Sequence, residues 1–284
     1  MTPIVFFNGQ YLPKDQVRLS PDDRGFLFGD GVYEVTRTYD GKLFLLQQHL
    51  ERLKYSLSEL CIMGVDVGGL AQVSRELLRR NQLERANAIV YIQVTRGAAP
   101  RTHAFPRPPV PATVYAYASA VTPKMDPEIG VKVIAAPDLR WARCDIKSIA
   151  LAANVLANQA AAEAGGAEAI LVRDGVALEG SHSSFFAVFG DEVRTAPRSN
   201  YILPSITRQW AIDLCAREHI ALRETPVFAH QLQKADEMFL AGTTTEIMPI
   251  VTLDGWSVGT GRPGPITKRL RAAFIRAIPD CVEA

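Results

Sequence analysis

Five leucines, Leu46, Leu50, Leu53, Leu57 and Leu60, recur at spacings of four and three in "LQQHLERLKYSLSEL", the period of one helix face. A helix striped in this way must lay that face on another element to take it out of water. The preceding text supplies the partner. "VYEVTRTYDGKLFLL" alternates apolar and polar residues around Asp40-Gly41, which predicts a hairpin with a tight turn. Helix and hairpin together imply a helix packed on a sheet.

The pattern continues with a second helix near 70 to 82 and strands at "AIVYIQVTRG" and "ATVYAYAS". Between these strands lies "AAPRTHAFPRPPVP", whose five prolines forbid regular structure and predict a shaped loop. A second irregular stretch, "VTPKMDPEIG" at 121–130, is read as an interdomain linker. It separates an expected small α/β domain, 1–120, from a larger one, 131–284. The second half reads as strand, alanine-rich helix, two hairpins at Asp174-Gly175 and Gly190-Asp191, a helix from about Thr207, a strand near 223–228, a short helix near 230–235 and the strand "EMFLAG". Strands and helices do not alternate regularly, so the expected class is α+β.

The 284 residues are 48% hydrophobic and 21% charged with a net charge of +1, values that fit a folded globular chain. The near-neutral balance argues against nucleic acid or an anionic membrane as the main partner. No apolar run approaches the roughly 20 residues of a membrane span, and a cytoplasmic location is the default expectation. Cys61, Cys144, Cys215 and Cys281 form no CxxC pair and the five histidines have no HExxH spacing, so neither a disulfide framework nor a metal is expected.

Three places suit a phosphate. In "FLAGTTTEIMPI" Thr243 and Glu246 stand at capping-box spacing, predicting a helix turn with free amides after the strand. "LPSITRQW" repeats the logic, with Ser205 or Thr207 as the cap and Ile206 and Thr207 offering N–H groups. Arg52, on the polar flank of the leucine-striped helix, can hold two phosphate oxygens at once. Each has an everyday alternative, an ordinary cap or a solvated arginine. The literal GxGxxG at 259–264, "GTGRPG", lacks a following βαβ unit and is read as a loop.

One lysine, Lys147, stands alone between Lys132 and Lys234, just before the alanine-rich run. Several segments place it in context: "DRGFLFGDGVYEV", "HLERL", "VTRGAAPRTHAFP", "RCDIKS", "LEGSHSSFF", "YILPSITR" and "GTTTEI", in this order between about residues 20 and 250. In motif and order the chain resembles the class IV aminotransferases, and among them most resembles D-amino-acid transaminases. The resemblance implies a fold-type IV enzyme with a small α/β domain, a larger domain, pyridoxal 5'-phosphate in the cleft between them, and a homodimer. It implies that Lys147 forms the Schiff base. A primary amine condenses reversibly with an aldehyde and can then carry a proton; a guanidinium can do neither.

The same resemblance implies that Glu179 faces the pyridine nitrogen, and that Arg52, Ile206, Thr207, Thr243 and Thr244 cup the phosphate. For the substrate α-carboxylate it implies Arg101 and His103 with Tyr33 and Val35 of "VYEV", a site that selects the D-enantiomer, with a 2-oxo acid such as 2-oxoglutarate as acceptor. The alternatives inside the family are an L-branched-chain or (R)-amine transaminase or aminodeoxychorismate lyase; outside it, a non-catalytic phosphate-ligand binder. Three positions depart from the family pattern: Ser184 replaces an asparagine, His182 is an unusual neighbour, and Gly242 replaces a serine of some relatives.

Overall fold

A computed structural model describes residues 2–122 and 125–283; of the expected linker at 121–130, residues 123 and 124 lie outside the described ones. The chain divides into two compact units.

The first unit comprises β1 (Ile4–Phe7), β2 (Gln10–Pro13), α1 (Arg24–Phe28), β3 (Gly31–Tyr39), β4 (Lys42–Phe44), α2 (Leu46–Glu59), α3 (Gly69–Arg80), β5 (Ala88–Thr95) and β6 (Thr113–Ala120). With the C-terminal strand β17 (Val282–Glu283), its described strands form a sheet in the order β17-β4-β3-β5-β6-β1-β2. The β3–β4 turn has Asp40 at φ 50 and Gly41 at φ 77, the left-handed pair that matches the twist of a two-residue hairpin. Leu46, Leu50, Leu53 and Leu57 of α2 are buried against Val32, Ile92 and Val94 of the sheet, each burial worth roughly 1.5–3 kcal/mol. The expected stripe therefore does bind helix to sheet.

The second unit contains β7 (Val131–Pro137), α4 (Ala152–Glu163), β8 (Glu168–Arg173), β9 (Val176–Gly180), β10 (Ser184–Phe189), β11 (Glu192–Thr195), α5 (Ile206–Arg217), β12 (Ala221–Glu224), β13 (Val227–Phe228), β14 (Glu237–Gly242), β15 (Glu246–Leu253), β16 (Trp256–Ser257) and α6 (Pro265–Ala277). Most of these strands follow the path β12-β11-β10-β14-β15-β7-β8-β9-β13 in a mixed sheet. The central β14 is buried along its whole length, and Phe186 stacks on Phe239 with centroids 4.7 Å apart. Burial on both faces explains why these strands read as continuous apolar runs.

Two segments sit otherwise than the 131–284 boundary implied: Ile146–Ala150 and the described residues from Asp280 onward belong to the first unit. Ile146 is buried in its core. The backbone then pairs with β3, Tyr33 N–H donating to Lys147 O at 3.0 Å and Ile149 N–H to Gly31 O at 3.0 Å. At the C-terminus β17 (Val282–Glu283) pairs with β4 through Val282 and Phe44.

The helix turn expected at Thr243–Glu246 is absent. Residues 243–245 instead close the β14–β15 hairpin, with Gly242 opposite Glu246 and Glu246 at φ 56, the three-residue loop that ends in a left-handed residue. Pairing of the apolar strands on either side favours the hairpin, and the Glu246 carboxylate pairs with Arg271 at 3.0 Å rather than capping.

"GTGRPG" is indeed a connecting segment, but it leads into α6, which the sequence reading did not anticipate. The amides of Ile266 and Thr267 at that helix start are taken by Glu237, at 2.9 and 2.8 Å. The protein's own carboxylate fills this anion position.

Candidate active site

Within the first unit, Lys147 is fixed by its backbone. Its carbonyl is bound to β3, and its N–H donates to Ser56 Oγ of α2 at 3.2 Å. Its Nζ lies over the Tyr33 ring, 4.3 Å from the centroid. Tyr33 and Val35, two residues apart on β3, share a sheet face. From Tyr33 an aromatic row runs across the strands, to Tyr91 at 5.7 Å and on to Tyr117 at 5.1 Å.

On α2 a polar seam runs beside the leucine stripe: His49, Arg52 and Ser56, all buried, at spacings of three and four. Arg52 is therefore not the solvated arginine of the everyday alternative. Its Nε and one terminal nitrogen grip the two oxygens of Glu34 on β3 at 2.6 and 2.9 Å, and His49 Nδ1 meets the same carboxylate at 2.8 Å. Burial pushes Glu34 up, but Arg52 and His49 outweigh it and hold the carboxyl below its ordinary range. Burial pushes His49 down, with the Arg52 and Lys147 cations in the same direction, against the pull of Glu34. A neutral His49 thus donates from Nδ1 to the carboxylate. Glu34, His49 and Ser56 were missed in the sequence, although 49, 52 and 56 have the spacing of a second stripe.

Arg101 and His103 lie exposed on the proline-rich loop. Arg101 stands over the Phe28 ring at 5.0 Å, and His103 meets the same ring at 5.7 Å. Neither makes a hydrogen bond or ring contact with Tyr33 or Lys147 among the described residues.

In the second unit Glu179 is the penultimate residue of β9 and is buried. It is paired with Arg140, and the Leu203 amide donates to it at 3.2 Å. Arg140 is in turn clamped by Asp138 at 2.8 Å. Burial pushes the Glu179 carboxyl up, while Arg140 and the Leu203 amide pull against it. Arg140 was not expected; one arginine in "DLRW" carries no signal of its own.

Ser184 stands opposite Glu179 in the β9–β10 pairing, and its buried hydroxyl has no hydrogen-bond partner among the described residues. The turn between them is held by buried Glu168. This carboxylate accepts from the His182 and Ser183 amides at 2.7 and 2.9 Å and meets the His182 ring at 3.3 Å. The unusual His182 therefore has a structural partner.

Ser205 caps α5 by accepting from Arg208 N–H, so the Ile206 and Thr207 amides are left without intrahelical acceptors. Thr243 and Thr244 form the β14–β15 turn. A Cβ added at Gly242 would stand 3.4 Å from Ser183 Cβ and from Thr245 Oγ1, a close fit where some relatives carry serine.

Residues 31–253 match the class IV amino-transferase family. The chain belongs to the class IV aminotransferases. It is 40% identical to the D-alanine aminotransferase of Staphylococcus haemolyticus, over 96% of this chain and 97% of that one. It is likewise 40% identical to the D-alanine aminotransferase of Bacillus licheniformis, over 96% of each. Among solved structures, the branched-chain amino acid aminotransferase of Escherichia coli superposes with a TM-score of 0.89 at 25% identity, covering 100% of this chain and 96% of that one. A T.th. branched-chain amino acid aminotransferase, solved with pyridoxamine 5'-phosphate, gives 0.88 at 25% identity, covering 98% and 94%.

The family's cofactor is pyridoxal 5'-phosphate, and the donor set suits it. Glu179 Oε2 accepts only the Leu203 amide among the described residues, leaving lone pairs for a protonated ring nitrogen. Beside it lies the unpartnered Ser184 hydroxyl. The α5 start offers amides to a phosphate, and among the described residues no carboxylate takes them as Glu237 takes those of α6.

Proposed function

We propose that this aminotransferase acts on D-amino acids of the D-alanine type, with a 2-oxo acid such as 2-oxoglutarate as acceptor. The observation that carries this reading is the near full-length likeness, at 40% identity, to D-alanine aminotransferases. The branched-chain reading draws on the solved structures, but at 25% identity these are more distant in sequence.

Bound through Lys147, pyridoxal 5'-phosphate supplies a conjugated ring that accepts the electron pair left when the substrate Cα–H bond breaks. Once the substrate amine had displaced it, the freed Lys147 amine would take the α-proton and could return it at the cofactor C4' carbon. Its backbone bonds to β3 and Ser56 restrict where Nζ can reach, and the Tyr33 ring lies against it. Glu179, steadied by Arg140, keeps the ring nitrogen protonated. Ile206, Thr207, Thr243, Thr244 and Arg52 hold the phosphate. Arg101, His103, Tyr33 and Val35 receive the substrate, the first three its carboxylate. The side on which that carboxylate is held decides which enantiomer presents its hydrogen to the lysine.

The reading includes a cytoplasmic homodimer whose two units serve as the small and the larger, cofactor-binding domain. Exposed Phe26, Met63 and Phe105 in the first unit offer apolar surface for a subunit contact. Among the described residues no helix is long and apolar enough to cross a membrane.

The test is 2-oxo acid formation with 2-oxoglutarate as acceptor by purified holoenzyme, pyruvate from D-alanine and 4-methyl-2-oxopentanoate from L-leucine. D-Alanine turnover with L-leucine inert is expected, and Lys147→Ala should abolish turnover while leaving the fold. Turnover of L-leucine alone would overturn the D-reading.

A further inference from the structure

Arg24 lies in α1, far in sequence from the proline-rich loop, and is 3% exposed. Its Nε donates to Asp30 Oδ2 at 2.8 Å. One terminal nitrogen donates to Thr102 O at 2.6 Å and to Ala104 O at 3.5 Å, and the other to His103 O at 3.5 Å. A single buried guanidinium thus holds three consecutive carbonyls of the loop that carries Arg101 and His103. Its plane also lies over the Phe28 ring at 4.8 Å, the ring that Arg101 faces.

Asp30 fixes this guanidinium in place. Its carboxylate is shared with Arg96, whose Nε and terminal nitrogen donate to it at 2.7 and 2.9 Å. Arg96 in turn stands 3.6 Å from the centroid of Phe105 on the same loop. The loop's root is set by Gly97, at φ 96, where an added Cβ would come 2.0 Å from Pro111 O. Two buried arginines thus grip the loop, Arg24 by its backbone and Arg96 by its Phe105 ring. Such a frame is what a loop needs if its exposed side chains must meet a ligand in one geometry.

We propose that Arg24, seated by Asp30, is a positioning residue for the substrate-carboxylate loop: it sets the placement of Arg101 and His103, and through them the affinity for the amino acid. This rests on the carboxylate-binding reading of Arg101 and His103. Arg24 touches neither substrate nor cofactor in this account, so its loss should weaken substrate binding and leave the chemical step intact.

The experiment is the half-reaction of holoenzyme with D-alanine and no keto acid, followed by the visible band of the bound cofactor, for wild type, Arg24→Ala, Arg24→Lys and Arg101→Ala. Arg24→Ala should raise the half-saturating D-alanine concentration about tenfold or more, the scale expected for a misplaced binding group, with the saturating rate within about twofold of wild type. Arg24→Lys, which keeps the charge beside Asp30 but has fewer donors for the three carbonyls, should fall between. A wild-type half-saturation in Arg24→Ala beside a raised one in Arg101→Ala would overturn the positioning role. Wild-type values in both would overturn the carboxylate assignment itself. If Arg24→Ala does not give folded holoenzyme, Arg24→Lys decides alone, and a wild-type half-saturation there would overturn the proposal.

Discussion

Glu34 neutralises the charged cluster near Lys147: a single carboxylate, 1% exposed, satisfies Arg52 twice and His49 once. Glu34→Ala would leave the buried Arg52 guanidinium without its counter-charge. A loss of about 3–5 kcal/mol in unfolding free energy is expected from breaking a buried ion pair on one side, read as a shifted denaturant midpoint; a loss under about 1 kcal/mol would show that Arg52 has adequate other partners. At this scale legibility was uneven. Lys147 stood out because it is isolated and flanked by specific motifs. Glu34 and Arg140 did not, because an acidic residue in a strand and an arginine in a loop acquire meaning only from partners 18 and 39 residues away.

At the scale of elements, the start of α5 and the β14–β15 turn are the two structures assigned to the phosphate, and they were read with different success. The Ser205 cap was legible because capping is local chemistry. The turn at 243–245 was misread, since the spacing of Thr243 and Glu246 fits both a capping box and a tight hairpin. The choice fell to β15, whose apolar run completes a buried sheet. Either geometry presents threonine hydroxyls and amides. Replacing Thr207 and Thr243 together by valine keeps shape and removes two hydroxyl donors to a charged group. Cofactor affinity should fall by about a hundredfold or more, from roughly 1.5–3 kcal/mol for each of the two bonds. Equilibrium dialysis of the cofactor checks this, and unchanged retention would remove the hydroxyls from the phosphate site. On the β9–β10 turn, Glu168→Ala strands two amides and the Ser183 hydroxyl, so a loss of about 2–5 kcal/mol is expected by thermal or chemical unfolding.

For the whole molecule, the buried ionisable groups set an acid limit to stability. His49 lies below its ordinary 6.5 when folded, so just below pH 6.5 the unfolded chain binds the extra proton. The stability tied to His49 is complete above pH 6.5 and is lost as pH falls towards its folded value. Glu34, Asp30 and Asp138 are held below ordinary values of 4.5, 3.8 and 3.8 by arginine partners that outweigh burial. Their contributions are present above those values and vanish as pH falls through the folded ones. The thermal midpoint should therefore decline gently below pH 6.5 and steeply below 4.5, and His49→Gln should remove the gentle part; an unchanged slope would contradict the assignment of a buried neutral His49.

The unit that Lys147 joins was not legible at this scale either. The linear order places residues 146–150 inside the second half, and only backbone pairing with β3 and burial of Ile146 bring them to the first.

On the proposed reading Lys147 is the amine to which the cofactor is attached. Borohydride reduction of the holoenzyme, digestion and mass mapping of the pyridoxyl-modified peptide test it most directly. The account predicts a single stable adduct on Lys147, with no modified peptide from Lys147→Ala; an adduct on any other lysine, or none at all, would contradict it.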